Sequence, residues 1–167
     1  MHIELIPTLI DQYRETFEGE VEPGKVWITS GPRASAVLGT VELLTHDEAF
    51  AAPPGASTGG KSIAAHVAHL AFALELTAKR FNGENPDADW PGSFVIPQAT
   101  LQTWETLKAE LRDAYEGVLT ILQHRRGAPI GDWPPLHVAG LTATISHNAY
   151  HLGAIRQLAK AVHPNLR

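Results

Sequence analysis

Apolar residues recur every three or four positions over much of the chain, and this is the period of an amphipathic α-helix. The pattern predicts a first helix from Ile3 to Phe17, ended by Gly19. Three longer helices are predicted from about Ser62 to Phe81, from Leu101 to Leu122 and from about Leu141 to Ala159. The apolar seam of the last helix consists of Leu141, Ile145, Leu152, Ile155 and Ala159, with Asn148 on the same stripe. Four helices of this kind bury their seams against one another.

The segments between these helices predict one further helix and long loops. A shorter helix is predicted from near Ser35, and its end is lost in the prolines around Pro53. Loop-forming residues run from Asn82 to Pro97, and a second loop carries Trp133, Pro134 and Pro135. No alternating strand pattern or internal repeat competes with this interpretation. We therefore expect an all-α fold, an up-and-down four-helix bundle with an extra short helix and long loops, as a single domain over residues 1–167.

Composition narrows the class of protein. At 167 residues and 44% hydrophobic content, the chain is long enough for one sizeable core. It contains no cysteine, so any nucleophilic sulfur must come from another molecule. The net charge of -5 argues against nucleic acid as a partner. Because charged residues interrupt the first apolar stretch and no apolar run is long enough to cross a bilayer, we expect a cytoplasmic protein without membrane contact.

Histidine is the residue type that points to chemistry, with nine in the chain. His147 and His151 are four positions apart, so they lie one turn apart on one face of the last predicted helix and can bind one metal ion together. At about 100° per residue, His69 has an offset from its own helix seam close to that of His147. His66 lies nearer to its seam, so face geometry alone leaves both His66 and His69 open as a third ligand.

Three segments carry a family resemblance. They are Ser62–Leu70 (SIAAHVAHL), Trp104–Leu111 and His147–Gly153 (HNAYHLG), and together they resemble the DinB/YfiT family of metal-dependent proteins over most of the chain. In that family, a histidine seven residues after the serine of a Ser-Ile opening joins a His-x-x-x-His pair. The resemblance therefore selects His69 as the metal ligand that accompanies His147 and His151. It also implies a four-helix bundle, often a homodimer, that binds zinc or nickel.

The resemblance implies a reaction as well. Characterised relatives include transferases that use low-molecular-weight thiols such as bacillithiol or mycothiol, so we expect a metal ion that activates an external thiol for transfer to an electrophilic small molecule. Hydrolysis by a metal-bound hydroxide is an alternative, which the absence of a carboxylate at a His-Glu-x-x-His spacing disfavours. A non-catalytic role, with a structural metal or in binding to partners, is a second alternative. His66, one turn before His69, is the candidate catalytic residue, as a base or a group that orients a ligand.

Other chemistry-bearing residues carry weaker expectations. The aromatic residues Trp90, Phe94 and Trp133 are candidates for the wall of a pocket above the metal, although aromatic residues in such loops also pin the loops to the bundle. Glu75 is expected on the surface. His46 is expected in a surface turn, and His124 and His137 are expected to flank loops.

Overall fold

The structure is a computed structural model that describes residues 5–53, 55 and 60–163. The described residues form six α-helices and no β-strand. The helices are α1 (Leu5–Glu18), α2 (Val37–Glu42), α3 (His46–Phe50), α4 (Ile63–Phe81), α5 (Leu101–His124) and α6 (Pro135–Val162). Three single turns of 3-10 helix lie between them, at Arg33–Ser35, Gly92–Phe94 and Ile130–Asp132. The seam residue Ile3, at the predicted start of the first helix, lies outside the described residues.

Four long helices form the bundle, and the expected all-α class is confirmed. Helix α4 packs on α5 and α6, and α1 packs on the same two helices from the other side. Helix α1 runs antiparallel to α5, since Asp11 binds Arg126 near one end and Glu18 binds Tyr115 near the other. None of the helices in the described ranges is long and apolar enough to span a bilayer.

Local sequence sets the limits of α4. Ser62 caps its first turn by accepting a hydrogen bond from the backbone N–H of Ala65 at 3.2 Å. At the other end, Gly83 has φ 86° and follows two residues after the last helical residue, Phe81. The left-handed conformation suits glycine and lets the backbone N–H groups bond the last carbonyls of the helix. The predicted limits of this helix, Ser62 to Phe81, are therefore confirmed.

Two predictions about helix limits are wrong. The last helix begins at Pro135 rather than near Leu141, because proline is tolerated at a first helical position, where no N–H is needed. His137 therefore lies inside α6 and does not flank a loop. The short helix predicted from Ser35 is two helices, α2 and α3. Thr45 and Glu48 form a capping box that starts α3, so His46 is its first residue and not part of a turn.

Candidate metal centre

Helices α4 and α6 bring three histidines together. His69 Nε2 lies 3.0 Å from His147 Nε2, and His151 Nε2 lies 3.1 Å from the same atom. One ring nitrogen from each of the three lies within 4.8 Å of the other two. His69 and His151 are buried, whereas His147 is half-buried. We call His69, His147 and His151 the three-histidine cluster.

The cluster depends on how α4 lies against α6. Thr77 contacts Thr144 at a distance of 3.4 Å between their hydroxyl oxygens. His69 contacts His147 further along the same two helices, towards the start of α4 and the end of α6. Residue numbers therefore rise along α4 as they fall along α6, so the helices are antiparallel. His147 and His151, one turn apart on α6, both face His69 on α4.

A hydrogen-bond chain sets the tautomer of His69. Ser93 Oγ donates its proton to the carbonyl oxygen of Trp90 at 2.6 Å, so its lone pairs face His69 Nδ1 at 2.7 Å. His69 Nδ1 must then carry the proton and donate it to Ser93. Its Nε2 is left with a free lone pair directed at the cluster. This is the arrangement in which a hydrogen bond to one ring nitrogen prepares the other for a metal.

His66 contacts Nδ1 of His151, the ring nitrogen that is not the one near His147. The Nδ1 atoms of the two rings are 2.9 Å apart, so one must donate and the other accept. If His151 directs a lone pair on Nε2 towards the cluster, its Nδ1 carries the proton and His66 Nδ1 accepts it. This geometry suits a group that orients His151. His66 is not among the residues whose ligand atoms group together, and its role as a catalytic base stays a prediction.

The 3-10 turn Gly92–Phe94 covers the cluster. The Phe94 ring stacks on the His69 ring with centroids 4.0 Å apart and planes 10° apart, and Trp90 contacts the same imidazole at 5.8 Å between centroids. Trp90 also lines the space beside His69 and His147, where a pocket wall was expected, whereas Phe94 is not part of that lining. Trp133 is not part of this wall, because its ring lies under the Arg125 guanidinium, in the loop between α5 and α6. Ser93, which the sequence did not single out, is the polar contact of this turn.

Burial keeps the cluster neutral. Burial, followed by the nearby His147 and His66 rings, lowers the pKa of His69 to about 4. Burial, followed by the other histidines, lowers the pKa of His151 to about 3. Burial also lowers the pKa of His147. At neutral pH the three imidazoles are therefore uncharged and offer lone pairs, as metal ligation requires.

These shifts predict that acid destabilises the metal-free protein. Between pH 6.5 and about 4 the unfolded chain binds protons on His69 and His151 that the folded chain does not, so the stability present above pH 6.5 falls as the pH falls through this range. We expect the Tm in the presence of chelator to fall between pH 7 and pH 5, and to fall less in His151→Asn. Equal falls in both proteins would contradict the assignment of buried, neutral imidazoles.

A cleft opens from the cluster along α4 and α6. It has a volume of about 950 Å³, and its walls include His69 and His147 at one end and Arg80 at the other. Eleven residues separate His69 from Arg80 on α4, which corresponds to about 16 Å of helix. We call this space the α4–α6 cleft. A small molecule in it would lie beside the three-histidine cluster.

The donor set fits a divalent transition metal. Ligand nitrogens about 2.0–2.1 Å from a tetrahedral zinc ion lie roughly 3.3 Å from one another. The distances of 3.0 and 3.1 Å from His147 to the other two rings are within a few tenths of an ångström of this value. Among the described residues, no carboxylate belongs to the group, so the site could hold an ion with three neutral ligands and an open position.

A helical bundle with a three-histidine cluster between two of its long helices defines a class of candidate metalloproteins. A family model described as the DinB superfamily matches residues 33–155, a range that includes all three histidines. The chain therefore belongs to the DinB superfamily. No functionally curated protein and no solved structure matches it.

Proposed function

We propose that this protein is a metal-dependent enzyme that uses zinc or nickel on His69, His147 and His151 to activate an external low-molecular-weight thiol for transfer to an electrophilic small molecule. The observation that carries the proposal is the three-histidine cluster, two of whose members, His69 and His147, line one end of the α4–α6 cleft. When bound, the metal would supply the positive charge that lowers the pKa of a thiol in the open position.

The protein's own residues would bind and orient the reactants. His69 is held by Ser93, and His151 is held by His66, so two of the three ligands have a fixed ring orientation. The rings of Trp90 and Phe94 exclude water from the side of His69. We propose His66 as a positioning residue for His151, because its Nδ1 is already used in that contact.

Two other functions have less support. A structural zinc site would be closed by a fourth protein ligand, whereas the described residues supply a group of three beside an open cleft. Hydrolysis would be served by a carboxylate as base. Among the described residues, the acidic side chain in the wall of the cleft is Glu84, which follows the end of α4 near Arg80 and not near the histidines. Since the chain contains no cysteine, the transferred sulfur would come from the cosubstrate.

Homodimerisation stays a prediction.

Thiol transfer can be tested with a simple pair of reactants. In the reaction of 2-mercaptoethanol with 1-chloro-2,4-dinitrobenzene, an S–C bond forms, chloride leaves and the thiol proton passes to solvent. We expect the zinc- or nickel-loaded protein to accelerate this reaction at least about tenfold over the chelated protein, and His69→Ala to lose the acceleration. Glu75→Gln, an exposed position on the same helix, serves as the control. Equal rates with and without metal would contradict the proposal.

A further inference from the structure

One buried side chain in the wall of the α4–α6 cleft lacks any hydrogen-bond partner. Asn148, the residue after His147, is 0% exposed and borders the cleft. Neither its amide nitrogen nor its amide oxygen makes a hydrogen bond within the described structure. Asn148 also occupies the otherwise apolar stripe of α6, between Ile145 and Leu152. A leucine would continue that stripe with nearly the same shape and no polar atom.

A fully unpaired amide is costly and therefore calls for an explanation. Burying a polar group without a partner destabilises a fold, and most buried polar groups in proteins are paired. The other unpaired buried atoms among the described residues, on Arg14 and Trp133, do not line the α4–α6 cleft. Asn148 combines the unpaired amide with a place beside the three-histidine cluster, which points to a ligand as the missing partner.

Two threonines in the same wall narrow the chemistry of that ligand. Thr77 donates its hydroxyl proton to the carbonyl of Ala73 at 2.9 Å, and Thr144 donates its own to the carbonyl of Gly140 at 2.8 Å. Both threonines line the cleft, and their hydroxyl oxygens keep only lone pairs to offer. A ligand group that contacts them must donate hydrogen bonds. A carboxylate, which only accepts, does not fit this part of the wall.

We infer that Asn148 is a specificity-determining residue that binds a neutral secondary amide of the ligand in the α4–α6 cleft. The ligand carbonyl accepts from the Asn148 amide nitrogen, and the ligand N–H, which points away from the carbonyl in a trans amide, donates to Thr144. The inference rests on the proposed function, since it assigns the amide to the thiol that the metal would activate. Because Asn148 borders the cleft without being exposed, contact requires a rotation of its side chain or a small widening between α4 and α6.

The first test needs neither metal nor ligand. In the chelated protein, Asn148→Leu removes both unpaired groups, and we expect its Tm to exceed that of the wild type by about 5 °C. Ser146→Leu, at an exposed position of the same helix, is the control for the higher helix propensity of leucine. A Tm gain no larger than that of Ser146→Leu would mean that the amide is satisfied inside the fold, and would overturn the inference.

The second test measures ligand preference in the metal-loaded protein. The probes are N-acetylcysteamine, which carries a secondary amide, 1-pentanethiol, which has the same chain length without it, and 4-mercaptobutanoate, which carries a carboxylate. We expect the wild type to bind N-acetylcysteamine about tenfold more tightly than either other thiol, and Asn148→Leu to lose this preference. Equal preference in both proteins would overturn the inference.

The two tests separate this inference from the proposed function. Asn148 is not a ligand in the three-histidine cluster, so we expect Asn148→Leu to hold as much metal as the wild type. If metal and thiols bind without a preference that depends on Asn148, the proposed function stands and the inference fails. If the wild type binds no metal, the proposed function fails, and the melting comparison still decides whether the Asn148 amide is unpaired.

Discussion

Replacing Glu15 by alanine is expected to lower the free energy of unfolding by about 3 kcal/mol and the Tm by about 10 °C. Glu15 is only 2% exposed, on α1, and its carboxylate accepts hydrogen bonds from the backbone N–H groups of Trp27, Ile28 and Thr29 at 2.8–3.0 Å. The Thr29 hydroxyl donates to the same carboxylate at 3.1 Å. One side chain thus fixes the connector after α1, and its loss would leave three backbone donors without this partner.

Thermal and urea unfolding of Glu15→Ala and Glu15→Gln measure this effect. The glutamine variant keeps one acceptor oxygen, so its loss should be smaller than that of the alanine variant. Glu22→Gln is the matched control, because Glu22 is exposed and pairs with exposed Lys25, so its effect should stay within about 0.5 kcal/mol. If Glu15→Ala were no less stable than Glu22→Gln, the buried carboxylate would not hold the connector.

The largest expected effect on metal binding comes from His151→Ala, which should lower the affinity for zinc about a hundredfold or more. The substitution removes one of three ligand nitrogens and leaves His66 without the ring that it contacts. His66→Gln is the informative comparison. It keeps all three ligands and removes only the contact that orients His151, so its affinity should fall by about tenfold.

Competition titration against a chromophoric zinc chelator gives the three affinities on one scale. The expected order of affinity is wild type, then His66→Gln, then His151→Ala. An equal loss in the two variants would make His66 a ligand in its own right, which would contradict the three-histidine assignment. Circular dichroism of each variant checks that the helices remain intact.

Periodicity predicted most of the fold because the apolar seam and the caps of a helix depend on residues that are close together in the sequence. Ser62 and Phe81 mark the ends of α4 in the sequence and in the structure. The start of α6 was missed by six residues, since Pro134 and Pro135 indicate a loop unless one knows that Pro135 stands at a first helical position. The connector carboxylate Glu15 was also missed, because its partners lie twelve to fourteen residues away and are backbone groups.

The candidate site was predictable in part. The i, i+4 spacing predicted His147 and His151 as ligands. The choice of His69 over His66 as the third ligand needed the family resemblance, since helix-face geometry allowed either residue. The contacts of Ser93 and Phe94 with His69 could not be predicted, because they depend on how the loop folds back over α4. Asn148 showed a signal that was visible in the sequence, as a polar residue on an apolar stripe, although its lack of partners required the structure.

Cobalt(II) titration of the chelator-washed wild-type protein tests whether the three-histidine cluster binds one metal ion and leaves one position open. We expect intense visible bands of a tetrahedral cobalt site that stop growing at one ion per chain, followed by a sulfur-to-cobalt charge-transfer band when 2-mercaptoethanol is added. That result would establish three protein ligands and a position open to an external thiol. A weak spectrum without an endpoint would contradict the metal centre, and a tetrahedral spectrum unchanged by thiol would contradict the open position.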